Sequence, residues 1–214
     1  MGSVRISHAL VVALIPGLPA CGSDTDLVPA QVGTFQATLI AVNAAPGAAI
    51  PSGTAQVVVR SGNTIAFTVS AAGLDPVAHA IFLRQGDSCP TSAQDVNKDG
   101  VVDIDEGLVA YGPVLLPVDS SLTNGKMNLA TFPASASFTY SQSAQLNQVA
   151  TALVPPSQDP IVQPLAAGDS LNLADRVITV HGALTAVPLT ATGAPGLTAS
   201  LALPVLCGRL QQVQ

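Results

Sequence analysis

Short runs in which apolar and polar residues alternate, cut by glycine and proline, constrain this chain more than any other feature. Thr64-Ile65-Ala66-Phe67-Thr68-Val69-Ser70 sets Ile65, Phe67 and Val69 on one face, the two-residue period of a half-buried strand. Thr34-Phe35-Gln36-Ala37-Thr38-Leu39 repeats the pattern, and residues 55–60 lead into the first run through Ser61-Gly62-Asn63, a three-residue hairpin signal. Residues 77–83 predict another strand with Val77, His79, Ile81 and Leu83 on one face, and residues 176–181 and 197–203 predict two late ones. With 17 Pro and 18 Gly in 214 residues, a helical bundle is excluded and an all-β sandwich or barrel is expected. Aromatic residues make up only 3%, so Val, Leu, Ile and Ala must fill the core. Residues 141–168, with Pro155, Pro156, Pro160 and Pro164, predict a long connection holding one short helix. No internal repeat is visible and nothing marks a second domain.

Charge narrows the function classes. The chain has 7 basic and 13 acidic residues, a net charge of -6, and only 9% charged residues. Lys and Arg are too few and too scattered to track phosphates, so nucleic acid is excluded as a partner, as is electrostatic binding to anionic lipid.

The N-terminus has one positive charge, Arg5, ahead of Ala9-Leu10-Val11-Val12-Ala13-Leu14-Ile15, which Pro16 and Gly17 interrupt. A permanent span needs about 20 apolar residues, so the run reads as an export signal. The large Leu18 disfavours ordinary signal-peptidase cleavage, whereas Leu18-Pro19-Ala20-Cys21 resembles the bacterial lipobox, which implies an acylated Cys21. The expected organisation is a lipoprotein signal at 1–20, a polar tether at 21–32 and one β-domain at 33–214. Gly22 after the cysteine is similar to enterobacterial lipoproteins of the outer membrane, so the expected partner is that membrane, reached through the lipid on Cys21. With Cys21 acylated, Cys89 and Cys207 remain, in a compartment where they can oxidise to a disulfide.

One motif carries sharp chemistry. Asp95-Val96-Asn97-Lys98-Asp99-Gly100-Val101-Val102-Asp103-Ile104-Asp105-Glu106 matches the EF-hand calcium loop. Asp95, Asn97 and Asp99 supply side-chain oxygens, Gly100 permits the sharp turn, Val101 offers its carbonyl, Asp103 binds directly or through water, and Glu106 closes the shell. Calcium takes about six to eight hard oxygen ligands, and one short loop can supply them by wrapping the ion. Five of the thirteen acids fall in these residues, a crowding that a cation would relieve. Cys89-Pro90 before the loop and Tyr111-Gly112-Pro113 after it leave no room for the long helices of a calcium sensor, so the expected role of Ca2+ is to order a β-domain.

Gly86-Asp87-Ser88-Cys89-Pro90, the acidic loop, Tyr111-Gly112-Pro113-Val114, Arg176-Val177-Ile178-Thr179-Val180-His181-Gly182 and Leu203-Pro204-Val205-Leu206-Cys207-Gly208 together resemble bacterial CHRD-type lipoproteins, distant relatives of Cu/Zn superoxide dismutase. Over roughly residues 33–210 the resemblance implies a Greek-key β-sandwich with an inserted calcium-binding loop, and it places Cys89 and Cys207 at the dismutase disulfide. The dismutase active site does not carry over. Outside the signal only His79 and His181 remain, and Val77 and Ile81 stand where a His-x-His partner would be. Two imidazoles without an acidic or thiol partner are a poor transition-metal site. The expected function is thus a non-catalytic, calcium-binding envelope lipoprotein with a structural or interaction role. A copper-binding protein using His79 and His181 is the alternative, and an adhesion module whose calcium loop contacts an envelope partner is a third reading. The sequence names no such partner and no oligomeric state.

Overall fold

The computed structural model describes residues 31–213 apart from 45, 46, 48, 158, 167, 184–186 and 189. The three alternating runs near its start form a meander: β1 (Gly33–Ala41), β2 (Ser52–Arg60) and β3 (Thr64–Ala72), paired antiparallel. Their inward residues are those the period selects, namely Phe35, Ala37 and Leu39, then Ala55, Val57 and Val59, then Ile65, Phe67, Val69 and Ala71. In the β2–β3 hairpin Asn63 takes the left-handed conformation, with φ 59°, and its amide closes on the Arg60 carbonyl at 3.1 Å. Asn tolerates that region better than other non-glycine residues.

The remaining strands are β4 (Ile81–Arg84), β5 (Val114–Pro117), β6 (Ser137–Gln145), β7 (Val177–His181), β8 (Pro204–Arg209) and β9 (Gln211–Val213). They join in the order β5-β4-β7-β8-β1-β2-β3-β6, with β9 on β1, and every ladder is antiparallel. The expected all-β architecture takes the form of one continuous, curled sheet. β1 makes the join, pairing with β2 along most of its length and with β8 at Ile40 and Ala41. Curling lets a single apolar cluster draw on both halves, with Phe35, Phe67 and Val69 from one and Phe82, Leu115, Ile178 and Val205 from the other. β4, β5 and β7 are buried along their whole length; most of their residues are apolar, and the exceptions, Arg84, Thr179 and His181, lie together.

Three expectations change. The strand expected over 77–83 begins only at Ile81: the Val77 amide turns back onto the Asp75 carbonyl at 2.9 Å, the His79 amide donates to the Pro133 carbonyl at 2.8 Å, and Ala78 makes an isolated bridge to Ala134. Residues 197–203 are not a strand: α3 (Ala199–Ala202) lies there and β8 follows at Pro204. The connection expected over 141–168 opens with the second half of β6 before its short helix, α2 (Leu146–Ala152). Cys89 and Cys207 are disulfide-bonded across 118 residues, tying the segment ahead of the acidic loop to β8. Cys21, the proposed lipid site, lies outside the described residues, and with it the signal and most of the tether.

Candidate metal centre

The acidic loop is held at both ends by capping boxes, in which a side chain and the backbone exchange hydrogen bonds at a helix start. At its entrance Thr91 caps a short 3-10 helix (Ser92–Gln94), with Gln94 answering. At its exit Asp103 caps α1 (Ile104–Tyr111): Oδ1 accepts the amides of Asp105 and Glu106, both at 3.0 Å, and Glu106 Oε2 accepts the Asp103 amide at 3.1 Å. Between them the chain turns through left-handed positions at Lys98 (φ 58°) and Gly100 (φ 91°). A side chain at Gly100 would meet no neighbour, so it is the dihedral that asks for glycine. The exit helix has eight residues, so an ordered helix does follow the loop, only about two turns long.

Several of the oxygens expected to bind a cation accept from backbone amides of this turn. Asp95 accepts from the amides of Asp99 (3.1 Å) and Gly100 (3.0 Å), and Asn97 Oδ1 accepts from the same Asp99 amide at 2.9 Å. Asp99 Oδ1 accepts from Val101 at 3.1 Å. Glu106 Oε1 reaches back across the loop to the amides of Val96 (2.9 Å) and Asn97 (3.1 Å). Among the described residues the Val101 carbonyl accepts no hydrogen bond. These side chains are gathered around one loop, but among the described residues no three His, Cys, Asp or Glu side chains converge tightly enough to hold a metal ion as they stand. All six expected donors are oxygens, a set that suits a hard cation and not a soft one.

Sequence spacing misses a second set of contacts. Thr190 Oγ1 donates to Asp99 Oδ2, and Thr192 donates to Asp103 Oδ2 through its amide (3.0 Å) and hydroxyl (2.8 Å), the hydroxyl also lying 3.1 Å from Asp105 Oδ2. The Thr190 hydroxyl, helped by the Val101 amide and Asn97, holds the Asp99 carboxyl below its ordinary range against weak desolvation. Asn43, buried after β1, brackets Val102 with two 2.8 Å bonds and also donates to the Pro204 carbonyl at 2.8 Å. No local motif signals Asn43, Thr190 or Thr192, because each lies dozens of residues from the loop.

Behind α1 lies the second polar cluster, built on Arg84, Thr179, His181 and His79, all fully or almost fully buried. Tyr111 connects the two, since its hydroxyl donates to the Ile104 carbonyl at 2.8 Å and its ring lies 4.1 Å from the Arg84 guanidinium carbon. Gly107 makes room for that ring, where a Cβ would fall 2.4 Å from it. Burial pushes the Tyr111 phenol up and lowers Arg84 to about 10. Arg84 is 1% exposed and, among the described residues, faces no carboxylate; the ion pair seen there is Arg209 with Asp175.

The histidines do not fit a copper ion. His181 Nδ1 donates to the Ala202 carbonyl, and its Nε2 lone pair accepts from Arg84 Nη2 at 2.9 Å and from the Thr179 hydroxyl at 3.0 Å. Burial first and Arg84 second push this ring well below the usual histidine range, so it is neutral with Nδ1 protonated. His79 points Nε2 at the Asp75 carbonyl (2.7 Å) and Nδ1 at the His181 carbonyl (3.2 Å). His181 therefore spends both nitrogens on protein partners, and both His79 nitrogens face backbone carbonyl oxygens, so neither ring turns a nitrogen toward a shared metal position.

No family model matches the chain, and no curated protein matches it. Among solved structures it is similar to a point mutant of Candida albicans superoxide dismutase 5, at 11% identity over 85% of this chain and 93% of that chain, with a TM-score of 0.36. At that score the likeness carries no functional argument.

Proposed function

We propose that the protein is a non-catalytic, calcium-stabilised lipoprotein of the bacterial cell envelope. Asp95, Asn97, Asp99, the Val101 carbonyl, Asp103 and Glu106 hold one Ca2+, and Cys21 carries the lipid that fixes the β-domain to the outer membrane. The observation that carries the calcium reading is the closure of the loop. Glu106 spans from its last position to the amides of Val96 and Asn97, and Asp95 and Asn97 share one amide, which supports reading the segment as a loop closed on itself. A modest inward shift of the ligand oxygens replaces amide contacts with ion contacts. Against five acidic side chains the loop has the single cation of Lys98, and among the described residues none of the five is in an ion pair. Calcium relieves that repulsion, and affinity in the range of about 10⁻⁴–10⁻³ M is ordinary for such extracellular sites. The non-catalytic part rests on the buried cluster, where the nitrogens of both imidazoles are turned to protein atoms.

An ion that binds the folded loop and not the unfolded chain stabilises by mass action, by about 0.4–1.4 kcal/mol at roughly one to ten times Kd. Thermal unfolding with millimolar calcium and with chelator tests this. The melting temperature is expected to rise with calcium, and Asp95→Ala with Glu106→Ala is expected to abolish the rise. Superimposable melting curves in the two conditions would refute the proposal. Mass spectrometry of membrane-extracted protein checks the anchor, which requires diacylglyceryl mass on Cys21 and its loss in Cys21→Ser.

A further inference from the structure

Strand β6 ends the sheet. All nine residues are laddered to β3 without a shift, from Ser137 opposite Ala72 to Gln145 opposite Thr64, and among the described residues nothing pairs with its other edge. Such an edge offers a row of backbone donors and acceptors about 30 Å long. Native sheets usually blunt it with lysine, proline, a bulge or a covering segment. SFTYSQSAQ has no charge and no proline, and its ladder has no bulge. The opposite end of the sheet is different: β5 has four residues, finishes at Pro117, and is bridged at Val114 by Val162.

We propose that the free edge of β6 pairs antiparallel with the same edge of a second copy, about a two-fold axis at Ser141, so that two curled sheets run on as one. The strand is self-complementary about that residue. Pairing centred there sets Tyr140 against Gln142, Thr139 against Ser143, Phe138 against Ala144 and Ser137 against Gln145. The half-buried side chains of one copy then meet half-buried ones, and the exposed Ser, Thr and Gln meet their like. A slip that exchanged the faces would break that match. Charge also favours a second copy. Each chain has a net charge of -6, yet β6 and its neighbour β3 have no charged residue, so like charges are kept off the seam. A hydroxyl ladder reaches the edge as well: Thr68 bonds Ser141 at 3.1 Å and Ser70 bonds Thr139 at 2.9 Å, and the second copy's Ser141 and Ser143 extend it.

The test uses the full chain in detergent with Cys21→Ser, so that Cys89 and Cys207 are the native cysteines left. Sedimentation over a wide concentration range is expected to show a reversible monomer–dimer equilibrium. Ser141→Lys sets two ammonium groups against each other on the axis and is expected to weaken dimerisation by about tenfold or more, with a cooperative unfolding transition kept at low, monomeric concentration and partial recovery of dimer in high salt. Cysteine substitution reads the register independently of affinity. Directly opposed residues have Cβ atoms about 5 Å apart, so S141C is expected to form a disulfide-linked dimer under mild oxidation. T139C shares the exposed face but lies about 13 Å along the strands from its own symmetry mate, and is expected to stay monomeric under the same oxidation. A chain that remains monomeric at every concentration overturns the proposal. So does a dimer indifferent to S141K, equal cross-linking of S141C and T139C, or a monomer whose edge instead takes up an added strand peptide.

Discussion

The cluster around Arg84 and the loop from Asp95 to Glu106 are both dense in polar groups, and α1 touches both, yet they are completed in different ways. In the cluster each donor meets an acceptor: Arg84 bonds Thr179, His181 and the Gly112 carbonyl, and His181 answers with both ring nitrogens. Among the described residues no buried side-chain nitrogen or oxygen lacks a partner. In the loop the carboxylates accept from amides and hydroxyls, but their charge is left to solvent or to an ion. Burial accounts for the difference. An unmet polar group inside costs about 1–3 kcal/mol, so the interior must be complete within the protein, whereas a half-exposed loop can be left for a cation to finish. Polar richness alone therefore does not mark a metal site.

The strongest way to break the link between the two regions is to remove the disulfide. Cys89 stands ahead of the loop, and with Cys207, Tyr111 and Val177 it forms a small buried group between loop and cluster. Closing 118 residues of chain stabilises by about 5 kcal/mol in the chain-entropy model. Cys89→Ala with Cys207→Ala is expected to lose a stability of that order in urea titrations. Retention of full stability would show that packing alone holds the loop against β8.

Acid acts on the cluster and leaves the loop as a control. His181 is held neutral in the fold, while in the unfolded chain it titrates near 6.5. Its folded value is depressed, so below that pH the unfolded state binds a proton that the folded state refuses. The stability linked to this residue is complete above about pH 6.5 and falls by up to about 1.4 kcal/mol per pH unit beneath it. His181→Gln is expected to be less stable at neutral pH but to show a shallower loss between about pH 6.5 and 5. Equal acid slopes in the two proteins would place the acid sensitivity elsewhere.

What could be read from the sequence follows the distance over which each signal acts. β1, β2 and β3 were legible because alternation is local and their inner faces are Val, Ile, Phe and Ala. β6 was not legible: its residues from Ser141 on read as connection, since Ser, Gln and Ala there lack the aromatic alternation of Phe138 and Tyr140. Residues 197–203 show how a short apolar run fails to distinguish strand from helix: Thr198 and Ala199 accept the backbone bonds of α3, and the strand starts one residue later. The loop's proposed donors could be named by spacing, being contiguous. Thr190, Thr192 and Asn43 could not, and neither could the Arg84–Thr179–His181 network, because the fold brings those residues together from opposite ends of the chain.

Thr192 gives the smallest and finest test of the comparison. Its hydroxyl occupies Asp103 Oδ2, while Oδ1 is committed to capping α1. Thr192→Val keeps the shape, removes the hydroxyl, and leaves both the cap and the Thr192 amide contact in place. In chelator the variant is expected to lose about 0.5–1 kcal/mol, the net value of a partly exposed hydrogen bond. In calcium the loss is expected to be smaller, because an ion that draws on the freed oxygen, directly or through water, replaces the missing donor. Parallel melts of parent and variant in the two conditions measure that difference. An equal loss in both would mean that Asp103 stays turned to the 190–192 segment and serves the helix instead of the ion, leaving Asp95, Asn97, Asp99, Val101 and Glu106 as the ligand set.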